Sequence, residues 1–452
     1  MLLVSFMLVP HEATSTSVTV WIGVVGDPPG TLQLGVGGRQ PQALPGNGWS
    51  AWEVHGRPAF WSQRSTIVGL DPARRYPLSL SEGGSGRAAG TAVTLPDRLP
   101  RLDEDPFICL LGSCFAHFAD QAGAAGAAYA ALPAGARPSV KFLCGDQVYL
   151  DAPFPRFLIN VLGEDDLQAE LLASYLTTWA QSGDAAGFAE LLRAGATWFG
   201  SDDHEVWNNA PMATPTVRAT WWPFGDHGAA WWRIATALYD QFQTPLRSTG
   251  FRVGSLSFHV VDTRLGRSVD RSRFADPQHL AALDAWVTRL DGPGVVVVGQ
   301  PIFVPPTGPR GHFTDWGLAD YGQYAELVRT LSRSQHDLLV LTGDVHYGRI
   351  SGTTLPSGAS LIEVIASPFA LVDPRVGGKW HAPPQVFPAL PLPGVTQSAV
   401  WFEQLHHLAV NQFATLEFAA DGSRVRASVR AWPIPPPGQA PVSSLVFQRP
   451  LQ

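Results

Sequence analysis

Four short stretches hold most of the chain's chemically able side chains, and each begins where an apolar run breaks. "LLVLTGDVHYGR" ends its aliphatic run at Gly343 and then presents Asp344 and His346 two positions apart. "KFLCGDQVYLD" presents Asp146, Tyr149 and Asp151 in the same way. "WFGSDDHEVWNN" offers Asp202, Asp203, His204, Asn208 and Asn209, and "FICLLGSC" ends in Cys114. A fifth run, "VVVVGQP", offers Gln300. Carboxylate, imidazole, phenolate and thiolate are metal-ligand types. Gathered together, they could hold two cations about 3.5–4 Å apart across one bridging carboxylate, generating a strong nucleophile from water and drawing charge from phosphoryl oxygens. An imidazole left off the metals could protonate the leaving oxygen.

Taken singly, most of these residues have a plainer reading. A free cysteine is more often a small buried hydrophobe, and a lone tyrosine a packed aromatic. Asp151 precedes "PFPRF" and reads best as a helix N-cap. For Gln300, packing or hydrogen bonding stands level with a site role. "DDHE" is different, because Trp198, Phe199 and Trp207 surround it. Consecutive ionisable groups buried among aromatics are costly without a partner, and a cation would be one. Cys114 with His117 suggests a thiol hydrolase, but three residues apart suits a local packing pair better.

The elements that must position these groups are legible as patterns. From Phe107, apolar strands ("FICLLG", "KFLCG", "TWFGS", "GVVVVGQ", "LLVLTG") alternate with helical stretches such as "DLQAELLASYLTTWAQ" and "HLAALDAWVTRL". Continuous apolar strands imply a sheet covered on both faces, and ligands at their carboxyl ends converge on one crevice. "SLIEVIAS", "NQFATLEFAA" and "RVRASVRAW" are expected to be antiparallel. Residues 1–97 are expected to be a β-sandwich of short alternating strands between Gly/Pro turns. "LPDRLPRLDEDP" then leads into a catalytic unit over residues 98–452. The Trp-rich region 211–247 is a candidate cover over the site.

The chain has 452 residues, 45% hydrophobic and 15% charged, with a net charge of −7. That composition excludes disorder and offers no broad basic surface for stable nucleic-acid binding. Three cysteines make no disulfide framework. "MLLVSFMLVP" lacks a basic leader, a twin-arginine signal or the length to span a bilayer, so a cytoplasmic setting without a transmembrane segment is expected.

These motifs resemble the calcineurin-like metallophosphoesterase superfamily, and within it the PhoD-like alkaline phosphatase/phosphodiesterase family. "SC" at 113–114, "GDQVY" at 145–149, "DDHEVWNN" at 202–209 and "GDVH" at 343–346 stand in that family's order. "VVDTR" (Val260 to Arg264) and the β-rich N-terminus add to the likeness. The resemblance implies an α/β fold, an α/β/β/α metallophosphoesterase sandwich behind an N-terminal β-sandwich. It implies hydrolysis of small-molecule phosphate esters by a metal-bridged hydroxide. Asp146 would bridge the metals. Cys114, Tyr149 and His346 would hold Fe3+, while Asp203 and Asp344 would hold a second cation, with Ca2+ favoured by oxygen ligands. His204 would be the catalytic acid, and Arg264 would contact the phosphate. Phe115 and Ala116 stand where many members carry an aspartate. The rival from another class is a non-catalytic phosphate-ligand-binding or interaction protein with a decayed site.

Overall fold

The computed structural model describes residues 5–152, 162–180, 187–214, 217, 220, 225–312, 315–371, 379–407 and 409–452. Its N-terminal part is two four-stranded antiparallel sheets. One orders Ser5–Ala13, Ser17–Val25, Arg57–Val68 and Ser50–Val54; the other orders Gln42–Ala43, Leu32–Val36, Arg75–Glu82 and Ser85–Val93. The period-2 pattern of "SVTVWIGVV" explains how they pack. Val18, Val20, Ile22 and Val24 join Leu32, Leu34, Leu78 and Leu80 between the sheets. Trp21 and Val25, on the opposite face, pack with the helices of the following unit.

Two larger sheets follow. A six-stranded sheet orders Ala196–Gly200, Val140–Cys144, Phe107–Gly112, Gln412–Asp421, Arg424–Pro433 and Ser444–Leu451. Its first three strands are parallel and the rest antiparallel. An eight-stranded sheet runs Ser248–Val253, Leu256–Val261, Gly294–Val297, Leu338–Thr342, Ser360–Ile365, Arg349–Thr354, Ser398–Phe402 and Val386–Phe387. Alternate residues of single strands enter different layers. Cys109 and Leu111 face the eight-stranded sheet through Phe258, Val295 and Leu339, whereas Leu110 faces helices. Val295 and Val297 point inward, whereas Val296 and Val298 meet the helices Pro277–Thr288 and Tyr324–Ser332. Helices Glu164–Trp179 and Gly225–Phe242 cover the six-stranded sheet's other face. The layers are therefore α/β/β/α, as expected from strands apolar on both faces.

Strand direction departs from the sequence reading in one place. Ser360–Ile365, expected to be antiparallel, pairs parallel to Leu338–Thr342 and antiparallel only to Arg349–Thr354. The intervening strand crosses over, because "RISGTT" is polar in type yet buried over five of its six residues. Arg349 is paired there with Glu363 at 2.8 Å, both buried. The described part of the Trp-rich region includes a packed helix: Trp231 in Gly225–Phe242 is buried and donates to the Val206 carbonyl at 2.8 Å. Residues 221–224 lie outside the described set.

The N-terminal sheets grip the following unit at the end of that helix. Arg64 donates to the carbonyls of Asp240, Gln241 and Gln243, satisfying groups that a helix C-terminus leaves open. Trp21 Nε1 also donates to Gln241 O at 2.7 Å. His11 is buried against Phe199, the residue before Gly200, with ring centroids 5.2 Å apart. No helix among the described residues is long and apolar enough to cross a membrane.

Candidate metal centre

The site is built from turns that leave the carboxyl ends of the strands Phe107–Gly112, Val140–Cys144, Ala196–Gly200 and Leu338–Thr342. Five of the nine non-glycine residues with positive φ among the described residues sit here: Cys114 (56°), Asp146 (58°), Asn209 (66°), Asp344 (69°) and His346 (55°). Left-handed backbone costs a non-glycine residue roughly 1–2 kcal/mol, and its concentration marks a functional site. The turns also interlock. Cys114 N donates to Gly145 O (3.1 Å), Phe115 N to Asp146 O (2.7 Å) and Gly343 N to Gly299 O (2.9 Å). The glycines before the two aspartates reflect this crowding. A Cβ on Gly145 would lie 2.4 Å from Asp202 Cβ, and one on Gly343 would lie 2.3 Å from Ser113 Oγ.

The turns bring several of the named side chains together. Ligand atoms of Asp146, Asp203 and His204 lie within 4.8 Å of one another, as do those of Asp146, Asp202, Asp203 and Asp344. Cys114 Sγ is 3.5 Å from Asp146 Oδ2 and 3.2 Å from Ser367 Oγ. Tyr149 OH donates to Asp146 Oδ2 at 3.3 Å. Asp146 thus stands between the sulfur and phenol on one side and the carboxylates on the other. His346 lines the same cleft as Tyr149 and His204. Arg264 is buried away from that cleft. Its guanidinium is held by Asp202 (Nε to Oδ1, 2.6 Å), Asp315 (Nη2 to Oδ2, 2.7 Å) and the Ala210 carbonyl.

Residues to which the sequence gives no ligand role hold this geometry. Glu205 accepts from Asp146 N (2.8 Å), Gln147 N (2.6 Å) and Asp202 N (2.8 Å), so one carboxylate buckles two ligand turns together. Asp151 was read as a helix N-cap; the residues of that helix, from 153, lie outside the described set. Its Oδ1 lies 2.6 Å from His204 Nδ1, and its Oδ2 accepts from Asn208 N at 2.6 Å. Asn209 N donates to Asp203 Oδ2 at 2.6 Å. The asparagine pair therefore acts through its backbone on two acids. Gln300 accepts from Arg267 and donates to Asp344 Oδ2 (3.1 Å) and to Asp315, which joins the network around Asp344. The signal for Asp151 was its place five residues after Asp146 in a ligand-bearing turn; Asp315 opens the stretch "DWGLADYGQYAELVRTL" that precedes the last ligand turn.

Burial and mutual repulsion push the carboxyls of Asp146 and Asp344 well above the usual carboxylate range. Burial also raises Asp202, although Arg264 opposes it. Burial would raise Asp203 too, but Arg264, His204 and the Asn209 N–H together hold it below its ordinary value. His204 is lifted well above a free imidazole: burial opposes this, but Asp151, Asp203 and Asp146 outweigh it. Cys114 and Tyr149 are both pushed up, first by burial and then by Asp146. A metal-free thiol nucleophile needs the opposite shift, which argues against the thiol-hydrolase reading.

Cations reverse this logic, because a bound ion is the largest local charge and favours the deprotonated ligands. Fit to a metal is supported by a specific defect as well. Asp202 Oδ2 is buried without a hydrogen-bond partner, beside three further carboxylates. The residues present can therefore hold metal ions.

The centre opens to a cleft of about 740 Å³ with Tyr149, His204, Asn208 and His346 on its floor. Phe118, Leu371 and Pro435 to Pro437 supply apolar walls. Tyr149 stacks on the His204 ring at 4.1 Å, fixing the plane of an imidazole whose Nδ1 is already held.

Fold and site together define a class: a two-sheet α/β/β/α sandwich with a buried acidic centre at its strand ends and an N-terminal β-sandwich. More particularly, the fold is PhoD-like. A solved structure described as "Structure of PhoD" superposes with a TM-score of 0.63 at 15% identity, covering 98% of this chain and 91% of that one. A chitinase, ChiW from Paenibacillus sp. str. FPU-7, matches at a TM-score of 0.16 and 9% identity, too little to bear on the fold. No family model and no curated protein matches the chain.

Proposed function

We propose that this chain is a metal-dependent phosphoesterase acting on small phosphomonoesters or phosphodiesters. The observation that carries this reading is the meeting of Asp146 with Asp203 and His204, from two turns far apart in sequence, where His204 lines an open cleft. The PhoD-like fold and the four ordered motifs support it. Cys114, Tyr149 and His346 form a set suited to Fe3+, and Asp203 and Asp344 one suited to a hard cation such as Ca2+, with Asp146 shared. Bound there, such ions would acidify water and neutralise charge on a phosphoryl group.

The protein's own residues do the rest. The Asp151 carboxylate fixes His204 through Nδ1, so Nε2 is the nitrogen left for a leaving oxygen. The Asp151 carboxylate at Nδ1 favours the protonated imidazole, the form a general acid needs. Phe118 and Leu371 give the cleft beside it apolar walls.

The test is turnover of p-nitrophenyl phosphate and bis-p-nitrophenyl phosphate at mildly alkaline pH, with and without chelator. Expected are chelator-sensitive hydrolysis and loss of both turnover and bound metal in Asp146→Ala. Cys114→Ser should lose iron selectively. Phosphate binding with no turnover in the metal-loaded protein would establish the binding-protein alternative instead.

A further inference from the structure

The geometry points to Asp202 as a ligand of the hard cation, held in position by Arg264. This rests on the reading that the centre binds metals, and it assigns roles to two residues within it. The ligand atom of Asp202 lies within 4.8 Å of those of Asp146, Asp203 and Asp344. The side chain is 1% exposed, and its two oxygens differ in their surroundings. Oδ1 is taken by Arg264, at 2.6 Å from Nε and 2.5 Å from Nη2. Oδ2 is buried and meets no donor. A buried carboxylate oxygen without a donor is expensive unless a cation faces it.

The first turn offers no carboxylate after its cysteine. After Cys114 it continues with Phe115 and Ala116, both buried, and Phe115 stacks on Phe188 at 4.4 Å. Oxygen ligands for a hard cation must therefore come from the other turns. Arg264 has the position of a residue that aims a ligand. It is fully buried and spans Asp202 and Asp315. Asp315 in turn meets Gln300, whose Nε2 donates to Asp344 Oδ2. One arginine thereby orients two carboxylates of the centre, as outer partners of metal ligands do. Arg264 is a positioning residue in this arrangement, with its donors turned to protein acceptors.

The experiment is calcium titration calorimetry on metal-stripped full-length protein, with elemental analysis of the native form. Asp202→Asn keeps an oxygen for Arg264 but loses the second anionic oxygen. It should bind Ca2+ at least tenfold more weakly, with iron content unchanged. Arg264→Lys keeps the charge but loses the planar fork, and should weaken Ca2+ several-fold, again with iron unchanged. Wild-type Ca2+ affinity and stoichiometry in Asp202→Asn would overturn the assignment, even if that variant melts at a lower temperature. Should Asp202→Asn fail to fold by circular dichroism, Asp202→Glu retains the ion pair and displaces the oxygen. Unchanged Ca2+ affinity in that variant would overturn the assignment equally. A wild-type protein that takes up no cation would overturn the phosphoesterase reading, and this assignment with it.

Discussion

Replacing Gly145 by alanine tests whether the ligand turns are held apart by close packing. The residue has φ +92°, and its Cβ would lie 2.4 Å from Asp202 Cβ, 2.7 Å from Asp202 N and 3.0 Å from Ser201 C. Non-bonded carbons rest at roughly 3.5–4.0 Å, so the Asp202 turn must retreat by roughly 1 Å. Two of the three clashing atoms are backbone, so no rotamer change relieves them. The left-handed φ costs roughly 1–2 kcal/mol and the overpacking roughly 1–3 kcal/mol, together about 2–5 kcal/mol. Gly200→Ala is the internal control, since its Cβ would meet only Leu143 O at 3.5 Å and Cys144 Cα at 3.7 Å. Urea unfolding of both variants measures the cost, and metal analysis reads the displacement of Asp202 and Asp203 from Asp146. The expected result is a large loss of stability and of the hard cation in Gly145→Ala, with Gly200→Ala near wild type. If Gly145→Ala unfolds within about 0.5 kcal/mol of wild type and keeps its metals, the account of the crowded turns is wrong.

Asp151→Asn should slow hydrolysis of an alkyl phosphate ester by on the order of 10²-fold and of a nitrophenyl ester much less, because a good leaving group needs little protonation; equal losses on both would remove Asp151 from the proton-transfer step. Arg349→Met leaves Glu363 buried without its cation and should cost about 3–5 kcal/mol in chemical unfolding; a double-mutant cycle with Glu363→Leu showing no coupling would refute that. His11 is held well below an ordinary histidine, by burial first and then by Arg64 and Lys141. The unfolded chain therefore binds the extra proton, and stability is lost as pH falls below about 6.5, at about 1.4 kcal/mol per unit until the folded group titrates. His11→Phe should remove that slope between pH 5 and 6.5, and parallel stability curves for the two proteins would count against it.

What could be read in advance followed from local chemistry. The runs "FICLLG", "KFLCG" and "LLVLTG" announce doubly covered strands, and the Gly–Asp steps after the last two announce crowded turns with ligands. Residue types near the centre were legible because few side chains bind metals. Relationships across the sheets were not. Nothing local distinguishes Asp202, whose Oδ1 faces Arg264, from Asp203, whose Oδ2 faces the Asn209 N–H. Asp151 looked like a cap because "PFPRF" follows it, whereas its partner His204 lies 53 positions away. Ser360–Ile365 alternates in the same way whether its neighbour runs parallel or antiparallel. Arg264 reads as a phosphate clamp until the acids around it, Asp202 and Asp315, are placed.

The grip of Arg64 on the final carbonyls of the helix Gly225–Phe242 has a practical side. Just past that helix, the Gln243 amide reaches Glu205 at 3.4 Å, and Glu205 ties the Asp146 and Asp202 turns together. Discarding the first hundred residues of this chain would sever the far end of that tether. The excised fragment should keep its chemical groups and lose their alignment, so a shortened version needs a substitute brace grafted onto the helix end.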